Sequence, residues 1–150
     1  MDKLKVSRKY SWYLLFIRVV LGLIFLVSAA LKLAAPVVFA QSISNYRIFG
    51  LILSHWGAVL IPVLEALLGL MLITRFWLKE ALILTLVLYL IFDIMILQAY
   101  FRGLDVACGC FNPADQSPID GYKLIENFLF TTLSVLSVTI YWKINQNDKN

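Results

Sequence analysis

The chain reads as an all-α integral membrane protein: a four-transmembrane-helix bundle, N-in and C-in, with a short interfacial helix in the first outer loop. Three observations lead there. The sequence is 61% hydrophobic and only 15% charged, a balance that water-soluble globules do not carry. Its apolar residues gather into four runs, each close to the about 20 residues that a helix needs to cross a bilayer. Aromatic residues mark the ends of those runs (Trp12, Trp56, Trp77, Tyr100 and Trp142), where amphipathic rings favour the lipid headgroup level. The length suits a single domain over residues 1–150.

The first span covers about residues 11–31 and follows a basic head with Lys3, Lys5, Arg8 and Lys9. Its apolar run is too long for a cleaved signal peptide, and no small-residue cleavage site precedes a polar mature region, so it is expected to stay as a span. The first outer loop, about 34–55, places Val38, Phe39, Ile43, Tyr46, Ile48 and Phe49 at amphipathic spacing, which predicts a short helix lying on the membrane surface. The second span covers about 56–74 and the third about 78–101, joined by the tight turn Arg75-Phe-Trp-Leu-Lys79. The second outer loop holds Gly103, Gly109, Pro113, Pro118 and Gly121 with Asp105, Asp115 and Asp120, and reads as irregular. The fourth span covers about 125–142 and ends in a polar tail from Asn145 to Asn150.

Lys and Arg set the orientation. With the N-terminus inside, the cytoplasmic side carries Lys3, Lys5, Arg8, Lys9, Arg75, Lys79, Lys143 and Lys149. The outer side carries Lys32, Arg47, Arg102 and Lys123, and Arg18 stays inside the first span. The expected location is therefore the cell (inner) membrane, multi-pass, with the second outer loop on the extracytoplasmic side. The net charge of +4 is a topology signal. No arginine-rich stripe with interleaved aromatics lies outside the spans, so nucleic acid is not an expected partner.

Three ionisable residues fall within spans, where charges are costly and usually functional. Helical spacing puts Arg18 with Gly22, Phe25 and Ala29, and Glu65 with Pro62 and Gly69. It puts Asp93 with Tyr89 and Tyr100, and aligns Asn127, Thr131, Ser134 and Tyr141 on the last helix. One reading is a polar interior that relays protons or holds a cofactor head group. The other is structural: an Arg18–Glu65 ion pair bracing two helices, because buried charges tend to be paired. For Asp93 the alternatives are proton handling and a hydrogen bond to a tyrosine or to Asn127.

The only two cysteines stand one residue apart, Cys108-Gly109-Cys110, just beyond the third span. A disulfide between them closes a very small ring, and strained or exposed bonds are the labile ones. A structural bridge more usefully closes a long loop. Facing outward, the pair sits where disulfides persist. Inert or partner-bridging thiols are the plain alternative. Zinc wants four ligands, and only His55 and loop carboxylates could complete a set, so no metal is expected. His55, the only histidine, lies on the same side and could lower a thiol pKa or move protons; it could equally be a polar helix end. With no second cysteine pair, redox work would need a quinone, or another protein on the same side, as second partner.

These residues resemble the MauE/DoxX group of small four-helix membrane proteins. The matching stretches are Arg18-Val-Val-Leu-Gly-Leu-Ile-Phe25 leading to Leu31-Lys32-Leu33, then Ile61-Pro-Val-Leu-Glu65 followed by Gly69 and Leu70. Cys108-Gly-Cys-Phe111, with Asn127 opening the last helix, points to the MauE side. MauE-like sequences usually continue with Gly where this chain has Asn112. The resemblance implies a redox-associated membrane protein. MauE is linked to maturation of the disulfide-rich small subunit of methylamine dehydrogenase with a thioredoxin-like partner. DoxX-like relatives are linked to thiosulfate–quinone redox and to oxidative-stress complexes.

The resulting expectation is a thiol–disulfide oxidoreductase component. Cys108 and Cys110 form its redox pair, an extracytoplasmic thioredoxin-like protein is its partner, and Asp93 and His55 are candidates for proton handling. Arg18 and Glu65 brace the bundle. A quinone is the candidate cofactor, and a homo-oligomer or a larger redox complex the candidate assembly. The alternatives are a non-catalytic membrane anchor or assembly factor of a redox complex, and a small-solute transporter. Four short spans without an inverted repeat argue against the transporter.

Overall fold

In a computed structural model, described for residues 2–46, 51–103 and 121–147, five helices follow one another: α1 (Asp2–Ala34), α2 (Pro36–Asn45), α3 (Leu51–Thr74), α4 (Leu78–Phe101) and α5 (Gly121–Asn147). All but α2 contain a stretch long and apolar enough to cross a membrane: Ser11–Ala34, Ser54–Thr74, Leu78–Phe101 and Leu124–Gln146. The protein is thus a four-span helical bundle. The helices exceed the apolar runs at several ends because backbone hydrogen bonding continues past the point where the side chains become polar. This is why α1 reaches back through the basic head and α5 extends in both directions beyond residues 125–142.

The spans form a ring in which α1 packs on α3, α3 on α4, α4 on α5 and α5 on α1. Outward faces are apolar, with Phe16, Leu23, Leu60, Leu67, Ile94 and Leu129 exposed as lipid requires. Trp12, Trp56, Trp77, Tyr100 and Trp142 are all exposed near span ends. Inward faces hold Leu21, Phe25, Leu68, Leu72, Leu82 and Tyr89, together with small or hydroxyl residues such as Thr85, Ser134 and Ser137.

The tightest approach is between α1 and α3. A methyl group on Gly22 would stand 3.0 Å from the Gly69 carbonyl oxygen, and one on Gly69 would stand 2.8 Å from the Gly22 carbonyl oxygen. The two backbones meet where neither residue has a side chain, the close packing that association in lipid favours. Turns complete the frame. Between α3 and α4, Arg75 and Trp77 adopt left-handed φ of 64° and 43°. Such residues cost of order 1–3 kcal/mol each. Gly103, with φ of 59°, ends α4 and donates its N–H to the Tyr100 carbonyl.

The connection between the first two spans contains the expected short helix, opened by Pro36 at its first turn. It is more embedded than a surface element: Phe39, Ala40 and Ile43 are buried with Ala58. Tyr46, just past its end, packs on Ile96 and Ala99, and Arg102 donates to the Tyr46 carbonyl at 3.4 Å. Burial pushes the Tyr46 phenol up to about 12. The α2 end of the bundle is therefore capped by α2 and clamped to the C-terminus of α4.

Gly69→Ala is expected to destabilise the protein by about 1–3 kcal/mol, because its methyl meets a backbone carbonyl that cannot move alone. Gly57→Ala serves as the control: its methyl meets only the flexible side-chain ends Ile43 Cδ1 at 3.4 Å and Ile61 Cδ1 at 3.7 Å, and the change is expected to be neutral or stabilising. Reversible unfolding in detergent measures both.

Candidate functional site

The glycine crossing fixes which charges meet. Along antiparallel α1 and α3, Arg18 lies one turn from Gly22 toward the Thr74 end, and Glu65 one turn from Gly69 toward the Ala34 end. They are offset by about 12 Å along the helices, and the expected Arg18–Glu65 pair does not form. Glu65 instead pairs with Lys32: Nζ stands 2.5 Å from Oε1, and both residues are 1% exposed. Ser28, one turn below Lys32, donates to Glu65 Oε2 at 3.2 Å. The ammonium also sits over the rings of Phe39, 5.1 Å from its centroid, and Phe92, at 5.3 Å. Two aromatic faces thus take the place of water around the cation.

Lys32 also corrects the charge tally. Its position at the end of an apolar run reads as an outer-loop cation. In the structure it belongs to the last turn of α1 and points inward under α2. Its position within Leu31-Lys32-Leu33, a lysine between leucines one turn from Ser28, was the available signal.

A second polar cluster joins α4 to α5. Asp93 Oδ1 accepts from Asn127 Nδ2 at 2.5 Å, and Oδ2 accepts from Thr131 Oγ1 at 2.6 Å. Of the sequence alternatives for a partner, Asn127 is the one found, with Thr131 added from the same helical stripe. No cation is needed, because both carboxylate oxygens have a donor. Between the two clusters lies a cavity of about 20 Å³, lined from all four spans by residues including Ser28, Glu65, Tyr89 and Asn127. It has room for a single water molecule. Tyr89, stacked on Phe25 at 5.0 Å, borders it with a buried hydroxyl that has no hydrogen-bond partner among the described residues.

The remaining candidates are dispersed. Arg18 lies near the opposite end of the bundle, beside the α3–α4 turn. His55 is exposed on the first turns of α3, at the α2 end. Cys108 and Cys110 lie outside the described residues; the segment that carries them is attached to Gly103 and Gly121, both on the α2 side.

Comparison with known proteins agrees with this architecture. The family described as methylamine utilisation protein MauE matches residues 10–140, which takes in the first three spans, most of the fourth and both cysteines. The chain belongs to the MauE family. A curated relative, the methylamine utilization protein MauE of Paracoccus denitrificans, is 26% identical over 124 residues, covering 82% of this chain and 67% of that protein. No solved structure matches the chain.

Glu65→Gln and Lys32→Met are each expected to destabilise this MauE-family protein by about 3–5 kcal/mol, since each strands one buried charge. The double variant should lose markedly less than the sum of the two. A double-mutant cycle read by unfolding in detergent measures the coupling.

Proposed function

We propose that this protein is a membrane component of thiol–disulfide exchange for an exported client, within a system of the methylamine-utilisation kind for which its relative is named. Cys108 and Cys110 cycle between dithiol and disulfide. In the oxidising direction, one thiolate of a thioredoxin-like partner attacks the Cys108–Cys110 bond and forms a mixed disulfide. The partner's second thiolate resolves it, leaving the partner oxidised and both cysteines reduced. Two electrons and two protons pass in that exchange, and a quinone or a further protein on the same side takes them onward. The bilayer is the inner membrane and the cysteine segment faces the extracytoplasmic side.

The observation that carries this reading is that the family match spans both cysteines, the only two in the chain. The fold supports it. The segment bearing them joins the bundle at the end where Tyr46 packs on Ile96 and Ala99 and Arg102 donates to the Tyr46 carbonyl, a packed base on which a partner can dock. The burial of Lys32 removes one cation from the outer count, which widens the asymmetry behind the orientation. Asp93 and His55 remain the candidates for proton handling in this exchange.

Cys108→Ser and Cys110→Ser, expressed singly in native membranes, are expected to differ: one of them accumulates a mixed disulfide with a thioredoxin-like protein, recovered by non-reducing electrophoresis and mass spectrometry. An impermeant maleimide should label the reduced cysteines from outside. If neither variant traps a partner and the double Ser variant keeps full client maturation, the protein is a non-catalytic anchor.

A further inference from the structure

The end of the bundle opposite the cysteine segment carries an arrangement that thiol chemistry does not use. Arg18 is 5% exposed, and its Nη1 is buried with no hydrogen-bond partner among the described residues. It forms part of a pocket of about 170 Å³, also lined by Ser11, Trp12, Arg75 and Leu78. The second guanidinium comes from the α3–α4 turn, where Arg75 holds a left-handed φ of 64°. No carboxylate lines the pocket among the described residues, and Glu80, on the first turn of α4, lies outside its lining. The Lys32–Glu65 pairing leaves Arg18 without the acid that the sequence offered it.

A buried guanidinium in a membrane protein needs a counter-charge. Two guanidiniums bordering one pocket attract an anion, and their planar forks match the oxygens of a phosphate. The location fits a ligand that arrives with the lipid. Ser11 begins the first span and the turn after Thr74 separates the next two, so the pocket opens at the headgroup level. Trp12 flanks it as an interfacial ring.

We propose that Arg18 and Arg75 together bind one phosphate-type oxyanion, supplied either by a phospholipid headgroup or by free phosphate. Arg18 supplies the buried floor of the site and Arg75 closes it from the turn. The bound anion neutralises Arg18 and ties α1 to the α3–α4 hairpin.

The test uses the full chain, purified and delipidated in detergent. Native mass spectrometry counts retained phospholipid. Thermal unfolding is followed with dihexanoyl phosphatidylglycerol, and with sodium phosphate against sodium chloride at equal ionic strength. Retained phospholipid, or stabilisation by the short-chain lipid, that is lost in Arg75→Gln identifies a headgroup site. Stabilisation by phosphate alone, again lost in Arg75→Gln, identifies a free-oxyanion site. Arg75→Gln is expected to weaken binding about 10-fold or more, the effect of losing a charge-assisted hydrogen bond. Arg18→Gln should abolish binding. Because Arg75 is exposed on a turn, its variant remains informative even if Arg18→Gln does not fold. Equal binding by wild type and Arg75→Gln overturns the proposal. So does an equal loss in Lys79→Gln, which would reveal diffuse surface charge, or the absence of any lipid or phosphate effect.

Discussion

The contact on which the rest of this structure depends is the meeting of two backbones at Gly22 and Gly69. In lipid the apolar exterior of a helix gains little by leaving its surroundings, so helices associate where their surfaces can approach closely. These glycines allow that approach and, by doing so, set the register of α1 against α3. The register then decides the electrostatics. It brings Lys32 and Ser28 to the two oxygens of Glu65 and carries Arg18 away toward the turn at Arg75.

That division gives the bundle two ends of different character. At the α2 end, the charges inside the spans are satisfied: Lys32 by Glu65 and two aromatic rings, Asp93 by Asn127 and Thr131. A buried ion pair adds little net stability over an apolar equivalent, but either half left alone is severely costly. Such a pair enforces one arrangement of α1 and α3 beneath α2, which suits a platform for the cysteine segment. At the other end, two arginines border a pocket whose described lining holds no acid.

Membership in the MauE family and the fold support one another, because the matched stretches occupy structurally demanding positions. Gly22 and Gly69 form the crossing, and Glu65 and Lys32 form the pair. Asn127 donates to Asp93 from the start of α5. Arg18 begins the first matched stretch yet takes no part in these contacts, which is why its site calls for a separate account.

The sequence by itself determined the number of spans, the helix between the first two of them and the aromatics at the span ends, because hydrophobic runs of bilayer length admit one economical solution. It also determined that Glu65 and Asp93 lie within spans, and that Asn127 and Thr131 share a stripe. Only the tertiary structure decided the partners. Spacing along one helix reveals which residues share a face, but not the vertical offset between two helices. That offset comes from how closely the backbones can approach at the glycines. The register leaves Arg18 about two turns from Glu65, and Lys32, about four turns further along α1, becomes the partner instead. Lys32, at the end of its apolar run, looked like a loop cation until α2 was folded over it.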